Sequence, residues 1–444
     1  MNAAVERSAI RKICWRLLPL MVLTYLLAYI DRINVGFAAL TMQDDLHMSA
    51  TEFGFASGVF FWGYFFFEIP SSAILAKIGA RTRIARIMII WGLLAGATAF
   101  VTGVLSFAAV RFLLGLAEAG FFPAVILYFA HWFPHYHHGR IMSGFLVGLP
   151  VAAAIGSPVS TALLSLDGLL GLRGWQCMYI LEAIPTVLSG IVVLFVLTDK
   201  PEQAKFLTAE ERTWLAGRLA AERTAKESVL LLSVWKSFYN AKVLLLSANY
   251  FGIVTASLGM LIFIPQIIKS LGVTSNMTVG WLTMIPYVCG TVSLLVWGAV
   301  SDRLQERHWN LFLACVLSTA GLAIAGLTMG TWWALFGMTI AACGFYGTMG
   351  PFWATPPMFL TAPAAAAAMA WIGSLGNLGG FFGPGYVGLI KDATGSYAGG
   401  LYGLAALGFI TAAVCAFFVK VPSNAEPVGS QASARVSLQS RAHT

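Results

Sequence analysis

Apolar stretches of about 20 residues recur along almost the whole chain, and they constrain its fold more than any other feature. A stretch of about 20 apolar residues is long enough to cross the hydrocarbon core of a membrane as a helix. Only 10% of the 444 residues are charged, against about 25% in ordinary soluble domains, so we expect a polytopic membrane protein. The hydropathy breaks predict twelve transmembrane helices, at residues 17–40, 53–75, 84–104, 107–130, 141–165, 176–198, 243–268, 278–300, 309–329, 332–358, 367–391 and 400–420.

The positive charges are concentrated in alternate loops. The amino-terminal end and the even-numbered loops are rich in Lys and Arg, whereas the other loops contain only Arg173, Lys269 and Lys391. Because basic residues are retained on the cytoplasmic side, this asymmetry predicts that both termini are cytoplasmic. The net charge of +8 is thus explained by topology, and we expect no nucleic-acid partner. We expect the protein in a bacterial inner membrane, as a monomer.

One long polar segment, residues 198–241, divides the apolar stretches into two groups of six. Within it, Thr208-Ala-Glu-Glu211 is typical of a capping box that opens a surface helix. We therefore expect an amino-terminal six-helix bundle, a cytoplasmic linker, a carboxy-terminal six-helix bundle and a disordered tail, at residues 1–198, 199–241, 242–420 and 421–444. The loop at Gly298–Arg307 is similar to the loop at Ser72–Arg81, which indicates that the two halves are structural repeats.

Two charged pairs interrupt the apolar stretches of the first half. Asp31 and Arg32 are adjacent in the first stretch, and Arg111 and Glu118 lie in the fourth. A charged side chain at the centre of a membrane helix costs roughly 2.5–3.5 kcal/mol, so such residues normally face a protein interior or a wet cavity. Arg111, Gly115 and Glu118 share one helical face, since i, i+4 and i+7 are neighbours on a helix. The pattern predicts a site that binds a small anion and couples it to protons.

The residue types suit those two roles. The guanidinium groups of Arg32 and Arg111 stay charged and offer a planar fork that binds a carboxylate through two hydrogen bonds. Asp31 and Glu118 are the candidate proton carriers, because burial favours their neutral form and a nearby arginine opposes it. With all four ionised the site is neutral, so an entering monoanion requires one proton and a dianion requires two. The alternative is that the four residues form permanent, inert salt bridges.

Several motifs resemble the major facilitator superfamily, in its anion:cation symporter branch, which includes bacterial permeases for tartrate, phthalate and hydroxyphenylacetate. The resemblance covers residues 17–418 and is carried by Tyr29-Ile-Asp31-Arg32-Ile-Asn34, Phe67-Glu68-Ile-Pro70-Ser71, Arg111-Phe-x-x-Gly115-x-x-Glu118, Trp132-Phe-Pro134 and Gly376-Asn377-Leu-Gly-Gly-Phe. It implies an all-helical fold of two pseudo-symmetric halves and transport by alternating access. It also implies that the arginines bind the substrate carboxylate, that the acids carry protons and that Tyr64 contacts the substrate.

The family motif between the second and third helices implies a set of conformational residues. The second-half copy keeps Gly298, Asp302 and Arg303, whereas the first-half copy keeps Gly79 and Arg81 but has Ser72 and Ala76 in place of glycine and aspartate. The resemblance gives that aspartate a part in latching one state, so the first-half latch is altered here. We expect Asp302, Arg303, Gly79, Arg81 and Glu68 to act in gating.

Two further polar residues complete the predicted substrate site. Tyr29 is a hydrogen-bond candidate, and Asn377 lies in a glycine-rich stretch that we expect to break the eleventh helix. Glu182 stays open between a structural and a functional role.

A run of histidines between residues 131 and 138 matches no closed metal site, because Pro134 interrupts the helix that would align them. We expect no metal, no cofactor apart from protons, and no catalytic residues.

The predicted function is proton-coupled symport of a small organic carboxylate, either a tartrate-like hydroxy-diacid or an aromatic acid. Within transport, an anion exchanger or a sodium-coupled carrier is the alternative. A membrane-embedded enzyme is disfavoured, because the chain has no His-Glu-x-x-His, Gly-x-Ser-x-Gly or nucleotide-binding loop motif. A channel is the other remote alternative, although a channel would not need paired half-repeats.

Overall fold

The computed structural model describes residues 3–75, 79–227, 239–304, 306–358 and 362–418. Within these ranges the chain is helical and contains no strand, as the sequence predicts. The predicted disordered tail, residues 421–444, and the altered motif position Ala76 lie outside the described residues.

By its internal contacts the chain divides into two compact units. Unit 1 comprises Met1–Ser228 and Leu261–Ile285, and unit 2 comprises Val229–Met260 and Pro286–Thr444. The domain boundaries that hydropathy suggests stay a prediction. The helices that begin in unit 1 ahead of residue 228 are α1 (Ala3–Asp45), α2 (Ala50–Leu75), α3 (Ala80–Ala97), α4 (Val104–Glu118), α5 (Phe121–Trp132), α6 (His135–Leu146), α7 (Gly148–Leu164), α8 (Gly174–Val196) and α9 (Ala209–Glu227).

The second part of the chain continues the same pattern. Its helices are α10 (Ala241–Leu261), α11 (Ile264–Ser270), α12 (Asn276–Leu304), α13 (His308–Leu327), α14 (Trp333–Ala354), α15 (Ala362–Asn377), α16 (Gly379–Thr394) and α17 (Ala398–Phe418). Among the described residues, nine helices are long and apolar enough to cross a membrane. The chain is therefore a multi-pass membrane protein, as expected.

Some predicted spans are interrupted. The fourth divides at Ala119 and Gly120 between α4 and α5, and the eleventh divides at Leu378, beside Asn377. The second interruption lies in the glycine-rich stretch, and Leu378 keeps helical dihedral angles, with φ −58° and ψ −24°. The first was not expected, and it leaves Glu118 as the last residue of α4, although Ala119 and Gly120 keep helical dihedral angles as well.

Small residues set the packing that positions the site. Gly63 of α2 and Gly115 of α4 lie against each other's helix backbone, at the carbonyl groups of Phe112 and Phe60. Such small residues allow membrane helices to approach closely. This contact places the aromatic residues of α2 beside the charged face of α4.

The linker helix α9 docks on the first helix. Its predicted capping box is confirmed, because the Thr208 amide donates to Glu211 Oε2 at 2.8 Å and the Glu211 amide donates to Thr208 Oγ1 at 3.3 Å. Glu211 also accepts hydrogen bonds from Lys12 Nζ and Ser8 Oγ, both at 2.8 Å. These donors, with Lys12 foremost, outweigh the opposing effect of burial and lower the pKa of Glu211 to about 2.

Candidate functional site

The predicted charged residues of α1 point to two different neighbours. Successive residues on a helix differ in direction by about 100°, so adjacent side chains cannot face the same partner. Asp31 meets α8, where Thr186 Oγ1 lies 3.0 Å from its Oδ2, whereas Arg32 meets Glu118 of α4. We call Asp31, Arg32, Arg111 and Glu118 the charged cluster; all four belong to unit 1.

Arg32 and Glu118 form a direct ion pair, in which Arg32 Nη2 donates to Glu118 Oε1. The Glu118 side chain is buried, while 24% of the Arg32 side chain stays exposed. The Arg32 guanidinium also lies over the rings of Phe60 and Tyr64, with centroid distances of 5.3 and 5.6 Å. Tyr64 thus lies beside the charged cluster and contacts Arg32 through its ring face. Its predicted hydrogen bond to the substrate or to Asp31 stays a prediction.

Arg111 lies in the opposite electrostatic situation. The residue is only 2% exposed, and no carboxylate lies within 4 Å of it in the described part of the chain. Its Nε and Nη1 atoms are buried and have no hydrogen-bond partner among the described residues. Its guanidinium carbon lies 5.3 Å from the centre of the Phe60 ring, which therefore contacts both arginines. A buried guanidinium with unused donors is suited to bind an anion.

Next to Asp31 lies a polar face of α8, of which the sequence analysis singled out Glu182 but not Tyr179 or Thr186. Tyr179, Glu182 and Thr186 follow the spacing i, i+3 and i+7, so they share one side of this helix. Glu182 is buried and accepts hydrogen bonds from Asn34 Nδ2 at 2.8 Å and from Ser160 Oγ at 2.6 Å. Both partners are neutral. The spacing of these three polar residues within an apolar stretch is the sequence signal that could have identified this face.

Tyr179 and Tyr29 are also buried in this region. The Tyr179 hydroxyl has no hydrogen-bond partner among the described residues. Tyr29 precedes Asp31 by two positions and has at least one interaction partner. The role of Tyr29 in substrate binding stays a prediction.

The other predicted binding residue, Asn377, belongs to unit 2. It is the last residue of α15 and is half-buried, directly before the helix break at Leu378. Its predicted contact with substrate is untested.

In the first-half copy of the family motif, Gly79 and Arg81 both contact an acidic residue, Asp199. The Arg81 amide donates to Asp199 Oδ1 at 2.9 Å, and Arg81 Nε lies 3.4 Å from Asp199 Oδ2. Gly79 packs on the same carboxylate, since a Cβ at this position would lie 2.8 Å from Asp199 Oδ1. Asp199 follows α8 in sequence. Gly79 and Arg81 therefore bind an aspartate from another part of unit 1.

The second-half motif differs. The exposed Asp302 pairs with Arg307, whose Nη2 lies 2.6 Å from Asp302 Oδ1, and Arg307 Nη1 donates to Ser301 Oγ at 2.8 Å. Arg303 is exposed, and Glu68 of α2 is buried. The gating roles of these residues stay predictions.

Comparison with known proteins gives the context of this arrangement. The sequence model described as Major Facilitator Superfamily matches residues 21–384. A protein of Agrobacterium vitis provisionally named a tartrate transporter is 45% identical over 93% of this chain and 95% of its own length. A protein of Acinetobacter baumannii named a quinolone resistance transporter is 37% identical, over 89% of this chain and 92% of its own length.

Solved structures agree on the fold. A crystal structure of a D-xylose-proton symporter superposes with a TM-score of 0.74, covering 95% of this chain and all of that one, at 16% sequence identity. These similarities place the chain among transporters rather than enzymes. At this identity the structural match is informative about the fold alone.

Proposed function

Because this chain belongs to the Major Facilitator Superfamily, we propose that it is a proton-coupled symporter that carries a small organic carboxylate by alternating access. We include in the proposal twelve transmembrane helices, with α2, α14 and the pair α15–α16 added to the nine, and an inner-membrane location with both termini cytoplasmic. The observation that carries the proposal is Arg111, a buried cation with two nitrogen atoms that have no hydrogen-bond partner in the described part of the chain. An organic anion is the ligand that such a group binds most strongly.

Arg111 is proposed as the primary substrate ligand, with the Tyr179 hydroxyl as a second donor. The guanidinium plane offers two parallel N–H groups to a carboxylate, and the phenol offers one O–H. Arg32 is proposed as the secondary ligand, because its exposed fraction is accessible although Glu118 already binds one of its nitrogen atoms. Tyr29, Tyr64 and Asn377 are proposed to complete the contacts.

The charge balance supports coupling to protons. Asp31, Glu118 and Glu182 give three negative charges when ionised, while Arg32 and Arg111 give two positive charges. Since uncompensated buried charge is costly, one proton is expected to stay on these acids in the empty protein. Glu182 is the best host for it, because both of its hydrogen-bond partners are neutral. Each negative charge of an entering substrate then requires one further proton, and Asp31 and Glu118 can accept two.

A dicarboxylate such as tartrate suits this capacity, and the name of the Agrobacterium relative favours it. The test is uptake by proteoliposomes with an acidic exterior, with tartrate, malate, benzoate and phthalate as candidate substrates. We expect accumulation of tartrate that collapses when the pH gradient is removed and persists without sodium. Counterflow without pH-driven accumulation would identify an exchanger instead. A requirement for sodium would identify a sodium-coupled carrier, and a fluoroquinolone in the panel would detect the activity that the Acinetobacter relative's name suggests.

A further inference from the structure

The Thr186 hydroxyl lies close to a carboxylate on α1 as well as to a carbonyl of its own helix. A threonine within a helix commonly donates to the carbonyl four residues earlier. Thr255 and Thr283 do so, with Oγ1 to carbonyl distances of 2.7 Å in both cases. For Thr186 the corresponding distance, to the carbonyl of Glu182, is 3.3 Å, and its Oγ1 is closer to Asp31 Oδ2 at 3.0 Å. Its hydroxyl therefore lies between two acceptors.

A hydroxyl has one proton to donate and two lone pairs to accept with, so it cannot donate to both acceptors at once. When Asp31 is ionised, the Thr186 hydroxyl donates to the carboxylate. When Asp31 is protonated, the new O–H of the acid donates to Thr186 Oγ1, and the threonine hydroxyl donates to the Glu182 carbonyl. In both states each of these polar atoms has a partner. The proton moves on and off Asp31 while the heavy atoms stay in place.

The packing of α8 holds this hydroxyl in its orientation. The Thr186 methyl group, Cγ2, lies 3.2 Å from where a Cβ on Gly92 of α3 would be. With the methyl group against α3, the hydroxyl is on the side that faces α1. Thr186 and Asp31 are both buried, which makes an unsatisfied polar group here costly in either state.

From this geometry we propose that Thr186 is a positioning residue for proton exchange at Asp31, with a hydroxyl that changes from donor to acceptor as Asp31 takes up a proton. The inference rests on the proposed proton coupling and deepens it. The other ionisable groups that act on Asp31 are Glu182 on α8 and Glu118 and Arg111 on α4. Among the described residues, none of these three is hydrogen-bonded to Asp31, whereas Thr186 is.

The test is pH-dependent infrared difference spectroscopy on the full chain reconstituted in lipid, which detects the carbonyl stretch of a protonated carboxyl group without any substrate. We expect a band that is absent in Asp31→Asn and present in Glu182→Gln, which assigns it to Asp31. Thr186→Val keeps the shape of the side chain and removes the hydroxyl. In this variant the ionised Asp31 loses a charge-assisted hydrogen bond, so we expect the pH midpoint of its protonation to rise by about one unit. We also expect the carbonyl band of protonated Asp31 to move to higher frequency.

Two variants separate this role from a structural one. Thr186→Ser retains the hydroxyl, so it should keep the wild-type band and midpoint. Thr283→Val removes a helical hydroxyl that is equally buried but donates to the carbonyl of Val279 rather than to a carboxylate. This variant should therefore change neither the band nor its midpoint. An unchanged band in Thr186→Val, or a wild-type protein with no Asp31 band, would overturn the inference. A failure of pH-driven carboxylate uptake with these bands intact would overturn the proposed function and leave the inference standing.

Discussion

Arg32 and Arg111 contact the same phenyl ring, yet among the described residues only Arg32 has a carboxylate partner. Each guanidinium carbon lies 5.3 Å from the centre of the Phe60 ring. Arg32 is bound to Glu118 and partly exposed, whereas Arg111 is buried with two nitrogen atoms unpartnered in the described residues. This difference supports the proposal that Arg111 is the primary ligand of the substrate and that Arg32 mainly pairs with Glu118.

The most severe effect is expected from Arg111→Lys. An ammonium cannot present two parallel N–H groups, so the substrate loses one charge-assisted bond, worth up to roughly 3 kcal/mol or about a hundredfold in affinity. The matched variant Arg32→Lys keeps a cation beside Glu118 and should cost about tenfold. Equilibrium binding of radiolabelled tartrate to the purified protein measures both. A larger loss in Arg32→Lys than in Arg111→Lys would reverse the assignment.

Substitutions of the two acids of the charged cluster, Glu118 and Asp31, should also differ in their effects. Glu118→Gln leaves Arg32 without its ion pair, which we expect to destabilise the fold by about 2 kcal/mol, less than for a fully buried pair because Arg32 is 24% exposed. Asp31→Asn breaks no ion pair, so it should abolish pH-driven accumulation while counterflow and thermal stability persist. Thermal melts in detergent and paired uptake and counterflow assays give the readout. Full accumulation by Asp31→Asn would contradict its assignment as a proton carrier.

Glu182→Gln refines the comparison to the third acid. If Glu182 holds a resident proton, a neutral amide resembles its working state, and Ser160 and Asn34 can still bond to it. We expect accumulation within about threefold of wild type, a change of less than 1 kcal/mol. Initial uptake rates at a fixed pH gradient measure it. Loss of accumulation with counterflow retained would show that Glu182 exchanges its proton during transport.

The smallest effect on transport is expected at an ion pair outside the membrane. The folded-state pKa of Glu211, about 2, is below its ordinary value of 4.5, so its contribution to stability is present above pH 4.5 and is lost as the pH falls toward 2. Glu211→Gln should speed hydrogen exchange in α9 at neutral pH and leave the uptake rate nearly unchanged. In this variant, hydrogen exchange in α9 should also lose the pH dependence that comes from the titration of Glu211. An uptake rate reduced as far as in Arg111→Lys would mean that linker docking controls transport.

The helical fold and the buried charged residues could be predicted from the sequence, because charged residues are rare in the apolar stretches that cross a membrane. Tyr29–Asn34 and Arg111–Glu118 were found in this way, and the structure brings Arg32 and Glu118 together. Which acid pairs with which arginine depends on how α1 crosses α4 and α8. That crossing is set by contacts such as Gly63 and Gly115, which a hydropathy pattern does not encode.

Two other features, the hydrogen bonding of Thr186 and the pairing of Asp199 with Arg81, could not be predicted from the sequence for a different reason. Thr186 is a common residue in an apolar helix, and its distinction is a difference of a few tenths of an ångström between two acceptors. Asp199 lies more than 100 positions from Arg81, so no local motif connects the two. Both depend on long-range geometry that one sequence does not reveal.

The shared ring of Phe60 has a mechanical consequence. A phenyl group is rigid, and its own backbone is held against Gly115. An anion that draws the Arg111 guanidinium toward itself would remove one of the two guanidinium groups that contact this ring. Since the other one, Arg32, is bound to Glu118, binding at Arg111 would alter the surroundings of the residue that pairs with this acid.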